Sequence, residues 1–142
     1  MRYEFIVPGE PVAKQRPKAR MIRSGGRMTV SMRTPKKTLE YESRVAEACA
    51  DVPRFEPGPV RVAIITVFER PKRLMRKKDP DGRILKVTRP DIDNVVKSIL
   101  DGMREVWSDD SVVCDVRAEK YYAAKDEEPM AIVTVESMCE PS

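Results

Sequence analysis

The segment Val60–Glu69 constrains the fold most, because both of its alternating faces are apolar: Val62, Ile64 and Phe68 on one, Ala63, Ile65 and Val67 on the other. A run this short, rich in β-branched residues and bounded by Pro59 and Pro71, predicts a central strand buried on two sides. The other elements arrange themselves around it. Arg2–Val7 alternates, with Tyr3, Phe5 and Val7 on one face, and predicts an opening strand. Gly25-Gly26 sits between Arg20–Arg23 and Arg27–Ser31, the pattern of a hairpin.

Thr34-Pro35 predicts a helix cap followed by proline at the first helical position. Tyr41, Val45, Ala48, Cys49 and Val52 then form one helical stripe that ends before Pro53. A second stripe, Ile92, Val95, Val96, Ile99, Leu100, Met103 and Val106, predicts a helix of about five turns with Asp91 able to cap it. Val112, Cys114, Val116 and Ala118 alternate with Asp115, Arg117 and Glu119, a strand with one buried and one wet face. A turn at Lys125–Glu128 and a strand at Met130–Glu136 close the chain. The order β, basic hairpin, α, β, basic loop, α, β, β predicts an α+β fold: a single compact domain over residues 1–142, with a mixed β-sheet and two main helices packed on it.

Charge is divided along the chain. Residues 1–90 carry 22 Lys and Arg against 10 Asp and Glu, whereas residues 91–142 carry 5 against 13. Eighteen of the 27 basic residues lie in two segments, Lys14–Lys37 and the loop Arg70–Arg89, the footprint of a polyanion binder. Lys14, Arg16, Lys18, Arg20, Arg73, Arg76, Lys77 and Arg89 are the residues expected to meet a nucleic acid, and clustering alone does not distinguish DNA from RNA. A loop as long as Arg70–Thr88 is expected to be functional or mobile.

The chain has no histidine, which excludes a Ser-His-Asp triad and an imidazole base. Its three cysteines, Cys49, Cys114 and Cys139, are widely spaced, so a zinc site and a disulfide framework are not expected and a reducing, cytoplasmic compartment fits. The start shows no signal-peptide pattern and no apolar run is long enough to cross a bilayer.

Hydrolysis by such a chain would use carboxylates, lysines or a metal. Asp91 and Asp93 are expected close together at a helix start, where mutual repulsion would be relieved by a divalent cation. Lys97, four residues after Asp93, could place positive charge on a phosphate. Asp109-Asp110 would join this pair only if the following strand ran back along the helix or the helix were short. Each feature alone also has a plain structural role, as a helix cap, a surface ion pair or a polar turn.

Arg89-Pro90-Asp91-Ile92-Asp93-Asn94-Val95-Val96-Lys97, Leu100-Asp101-Gly102-Met103 and Trp107-Ser108-Asp109-Asp110 together resemble the D-x-D-N-x-x-K and D-D signature of RusA-type Holliday-junction resolvases. Gly9-Glu10-Pro11-Val12-Ala13-Lys14-Gln15-Arg16-Pro17 is similar to that family's G-x-P-x-x-K-x-R-P segment. Gln15 and Val112 depart from its usual glycine and glutamine. The resemblance implies a bacterial or phage-encoded endodeoxyribonuclease that acts as a homodimer and makes paired nicks in four-way junction DNA during recombination and repair. It implies Mg²⁺ as cofactor, with Mn²⁺ able to replace it; Asp91, Asp93, Lys97 and Asp110 as catalytic positions; and Asp91, Asp93, Asp109 and Asp110 as metal ligands. The competing expectations are a non-catalytic nucleic-acid-binding module, a nuclease for flaps or single strands, and a small-ligand or protein-interaction domain.

Overall fold

The computed structural model describes residues 1–138; Cys139 and the tail Glu140–Ser142 lie outside the described residues, as do the side chains of Lys18 and Arg20. The elements are β1 (Arg2–Pro8), β2 (Lys18–Ser24), β3 (Arg27–Arg33), α1 (Lys36–Ala48), β4 (Val60–Phe68), β5 (Ile84–Leu85), α2 (Ile92–Gly102), β6 (Val113–Tyr122) and β7 (Met130–Ser137). Five strands form one mixed sheet in the order β1-β7-β4-β6-β5, with β4 and β6 parallel and the other pairs antiparallel. Strands β2 and β3 form a separate two-stranded ribbon. The fold is the predicted α+β class. The short β5, inside the basic loop, is the one sheet strand that sequence patterning does not reveal.

Register sorts the sheet into two faces. Phe5, Val133, Ile64 and Ala118 lie in one row across β1, β7, β4 and β6, and Tyr3, Val135, Val62 and Val116 lie in the next. This face packs under both helices, whose Tyr41, Val45, Val95 and Ile99 join the same core. The opposite face carries Ile6, Ile132, Ile65 and Glu119, with Ile6 52% exposed and Ala63 and Ile65 only half-buried. Strand β4 is therefore central but not buried on two sides. Its second apolar row is shielded by neighbouring strands rather than by another layer, as mixed and antiparallel sheets allow.

The helices differ from expectation at their ends. Pro35 occupies the cap position of α1 with ψ of 144°, too extended for a first helical residue, and no side chain caps this helix. Helix α2 stops at Gly102, after 11 residues; Met103 and Val106 continue its apolar stripe as buried residues of the following turns. Gly102 is where α1 crosses: a Cβ there would lie 2.6 Å from Val45 Cβ and 2.8 Å from the Glu42 carbonyl oxygen. Gly102→Ala is therefore expected to destabilise the protein by about 1–3 kcal/mol through overpacking, measured by urea unfolding; an unchanged midpoint would show that the helices separate freely.

The hairpin turn is made by Gly25 and Gly26, with φ of 58° and 79°, as a two-residue turn with positive φ at both positions requires. Pairing runs from Ser24↔Arg27 to Lys18↔Arg33, longer on each side than the sequence pattern suggests. Met21, Met28, Val30 and Met32 are exposed on this ribbon.

Arg70 is the main organiser of the basic loop after β4. Arg70 is 7% exposed, and its guanidinium donates to the carbonyls of Leu74 (2.8 Å), Gly82 (3.0 Å) and Pro80. Lys125 adds bonds to the carbonyls of Arg76 and Asp79, both 2.8 Å, and Arg83 forms a two-pronged pair with Glu127, whose carboxyl that contact holds below the usual glutamate range. Arg70→Ala is expected to cost about 2–4 kcal/mol, since it removes three charge-assisted hydrogen bonds. Arg70→Lys should not restore it, because a single ammonium does not reproduce the three-way fork. Equal urea midpoints for the lysine variant and the parent would refute the strut.

Candidate active site

Pro90 precedes α2, and Asp91 takes the cap position with φ −69° and ψ 140°. Its backbone carbonyl accepts from Asn94 and Val95, at 3.2 and 3.3 Å, while its side chain makes no capping hydrogen bond. Asp91 and Asp93 are both exposed. Asp93 lies in the first turn, where a negative charge is favoured by the helix dipole. Lys97 follows one turn later, also exposed, and no ion pair joins it to Asp93 among the described residues. Capping and surface pairing therefore leave these three side chains uncommitted.

Two sets of residues hold the start of α2 in place. On one side, Lys120 Nζ donates to the carbonyls of Thr88 (2.8 Å) and Pro90 (2.7 Å). The Thr88 hydroxyl pairs with that of Tyr122 at 2.9 Å, and Lys86 lies over the Tyr122 ring at 4.8 Å from its centroid. On the other side, the segment Gly9–Arg16 runs along α2. Lys14 N–H donates to the Asn94 carbonyl (2.8 Å), and the buried Ser98 hydroxyl donates to the Val12 carbonyl. Lys86, Thr88, Lys120 and Tyr122 were not predicted from sequence. The available signal was Lys120 itself, a charged residue on the otherwise apolar row of its strand.

Lys14 makes contacts within the chain that the sequence did not predict. Its ammonium bridges Glu42 on α1 (2.6 Å) and Asp101 on α2 (3.0 Å). The hydrogen bond to Glu42 raises its pKa above the ordinary lysine value. Two carboxylates flank this charge, so Lys14 ties the two helices together. Arg16, Arg73, Arg76, Lys77 and Arg89 are exposed, with Arg76 3.3 Å from Asp79; Lys18 and Arg20 lie on β2. Lys14, Gln15, Arg89, Pro90, Asp91 and Asn94 are among the residues that line an open cavity of about 550 Å³ at Asp91.

The second acidic pair stands elsewhere. Asp110 opens the 3-10 turn before β6, and Trp107 Nε1 donates to its Oδ1 at 2.9 Å. Asp109 accepts from Ser111 N–H (2.9 Å), which holds its carboxyl below the usual aspartate range. Strand β6 does run back along α2, because Lys120 near its end meets Pro90 at the helix start. That leaves Asp109 and Asp110, at its beginning, by the far end of an 11-residue helix, about 16 Å long. Among the described residues no group of three or more His, Cys, Asp or Glu side chains is placed to hold a metal ion.

Residues 8–136 match the family model described as endodeoxyribonuclease RusA. The chain belongs to the RusA family. A curated relative, the uncharacterized protein YqaN of Bacillus subtilis (strain 168), is 34% identical over 141 residues, covering 93% of this chain and 94% of that protein. In this RusA-family protein the motif Asp91-Ile92-Asp93-Asn94 is a helix start, and Val12 and Lys14 of the Gly9–Arg16 segment bond to that helix. No helix among the described residues is long and apolar enough to cross a membrane.

Proposed function

We propose that the protein is a cytoplasmic, homodimeric endodeoxyribonuclease that resolves four-way DNA junctions in recombination and repair by divalent-cation-dependent hydrolysis. The observation that carries this reading is the pair Asp91 and Asp93: exposed, free of capping duty and flanked in the chain by Arg89 and Lys97, with Asp91 and Arg89 lining an open cavity. Their oxygens suit Mg²⁺, which binds through one or two carboxylates and keeps several waters. Such an ion supplies an activated water and stabilises charge on the phosphate. The side chains do the rest. Arg89 and Arg16 hold the backbone, and the Lys97 ammonium faces the charge that develops on the phosphate oxygens. A homodimer matches the near two-fold symmetry of a junction with two equal sites.

The separation of Asp109 and Asp110 from this pair favours a second reading, a nucleic-acid-binding module without catalysis. A synthetic immobile junction and a linear duplex of the same sequence separate the two. Paired nicks near the branch point that need Mg²⁺ or Mn²⁺ are expected. Equal cutting of the linear duplex would remove the junction selectivity, and binding without cutting at any divalent cation would leave the binding module.

A further inference from the structure

A second open cavity, of about 630 Å³, adjoins the one at Asp91, and Ala13, Gln15 and Pro90 line both. The shared wall is tied to both helices. Lys14 N–H donates to the Asn94 carbonyl on α2 (2.8 Å), and Gln15 N–H donates to the buried Thr38 hydroxyl on α1 (3.3 Å). The rest of the lining includes one face of α1. Lys37, Glu40, Tyr41 and Arg44 recur there at i, i+3, i+4 and i+7, the spacing of a single helical stripe.

Three of these four side chains have unused capacity. Tyr41 is 1% exposed, yet its hydroxyl has no hydrogen-bond partner among the described residues. Such a group is costly to bury and calls for a partner. Burial also raises the pKa of this phenol, so it keeps its proton and can donate. Lys37 and Arg44 are exposed, and neither forms an ion pair among the described residues. Arg44 lies over the Tyr41 ring, 5.8 Å from its centroid, and a Cβ at Gly9 would fall 2.9 Å from its Nη1. The guanidinium is thus seated between a ring and bare backbone. The acids that line the cavity are already engaged: Glu40 is 3.7 Å from Lys36, and Glu10 accepts from Glu69 N–H at 2.8 Å.

We propose that this cavity takes one nucleotide of the strand held at Asp91, unstacked from its duplex, with Lys37 and Arg44 on its phosphates and the Tyr41 hydroxyl on its sugar or base. The identity of the strand rests on the endonuclease reading above; the preference for an unstacked nucleotide does not require cutting.

The chemistry selects this ligand. Two uncommitted cations favour an anion, and the arginine fork matches phosphate oxygens. The volume falls within the range of about 300–1,000 Å³ usual for small-ligand pockets. Bases stacked inside a duplex cannot enter such a space. At a branch point stacking is already interrupted, so a nucleotide leaves it at a lower cost. The cavity would therefore tell a junction from a linear duplex, which contacts to phosphates along a duplex do not do.

The test compares affinities for an immobile four-way junction and for a linear duplex of the same sequence, with divalent cations withheld. Arg44→Ala should weaken junction binding on the order of 10-fold, the loss of one charge-assisted contact, and weaken duplex binding little. Arg44→Lys should recover part of the loss. Arg2→Ala removes an exposed charge on β1 outside the cavity and should leave the ratio of the two affinities unchanged. Tyr41→Phe should melt no lower than the parent, because the lost hydroxyl had no partner, and should lower the ratio about 3-fold. A 2-aminopurine beside the branch point should brighten on binding the parent and stay dark with Arg44→Ala.

An unchanged ratio in both Arg44→Ala and Tyr41→Phe would overturn the proposal. So would equal weakening of junction and duplex by Arg44→Ala, or a parent without junction preference. If free deoxynucleoside monophosphate quenched the 2-aminopurine signal without displacing the junction, the cavity would be a small-molecule site, which also overturns it. A parent that prefers junctions but cuts none would sink the endonuclease reading alone, and the affinity ratios would still decide the cavity.

Discussion

Asp93→Asn is expected to lower the junction-cleavage rate by on the order of 10²–10³-fold, about 3–4 kcal/mol of lost transition-state stabilisation, while the variant binds junctions at least as well as the parent. Asp93 is exposed, and no hydrogen bond or ion pair in the described structure depends on it. Asparagine has the same shape and gives up only the charge's interaction with the helix dipole, so stability should fall by no more than about 1 kcal/mol. It also removes a negative charge next to the bound phosphate backbone, so affinity should rise slightly. Single-turnover cleavage and a binding isotherm with the cation withheld separate the two effects. Parallel loss of affinity and cutting in a folded variant would assign Asp93 to binding instead.

Junction affinity is expected to fall on the order of 10⁵-fold between 50 and 200 mM salt. The exposed cations Arg16, Arg73, Arg76, Lys77 and Arg89 give about five phosphate contacts per subunit and about ten for the proposed dimer, hence a slope near −9 in a plot of log K against log salt. Arg16→Ala should flatten this slope by about two, one for each subunit. Lys14→Met should leave it unchanged and lower stability, because the Lys14 ammonium is already bound by Glu42 and Asp101. A flat salt response, or a slope that Lys14→Met reduces as much as Arg16→Ala, would contradict this division of the basic residues.

That contrast between Lys14 and Arg16 marks what the sequence can convey. Periodicity placed both helices and four of the five sheet strands, because an apolar stripe must face a core whatever its neighbours are. It did not place the end of α2, since Met103 and Val106 are as buried in turns as they would be in a helix. Nor did it place Cys114, which a bulge turns outward, or Val116, which lies on the expected face but at an edge that no strand covers among the described residues. Cation counts alone do not separate Arg70, enclosed among carbonyls, from Arg73 in solvent. In the site, the start of α2 was readable from Pro90 and the spacing of Asp91, Asp93 and Lys97. The distance to Asp109 and Asp110 was not, because it depends on where α2 ends and how the turns after it fold.

The Arg70 strut also bears on how quickly the protein can engage a charged ligand. A loop gathered around a buried guanidinium acquires its shape when the chain folds, and Arg73, Arg76 and Lys77 are fixed along with it. A polyanion arriving at this surface meets charges already spaced, and little conformational freedom remains to be lost in the encounter. Long-range attraction can then turn collisions directly into complexes, with association limited by diffusion rather than by rearrangement of the loop.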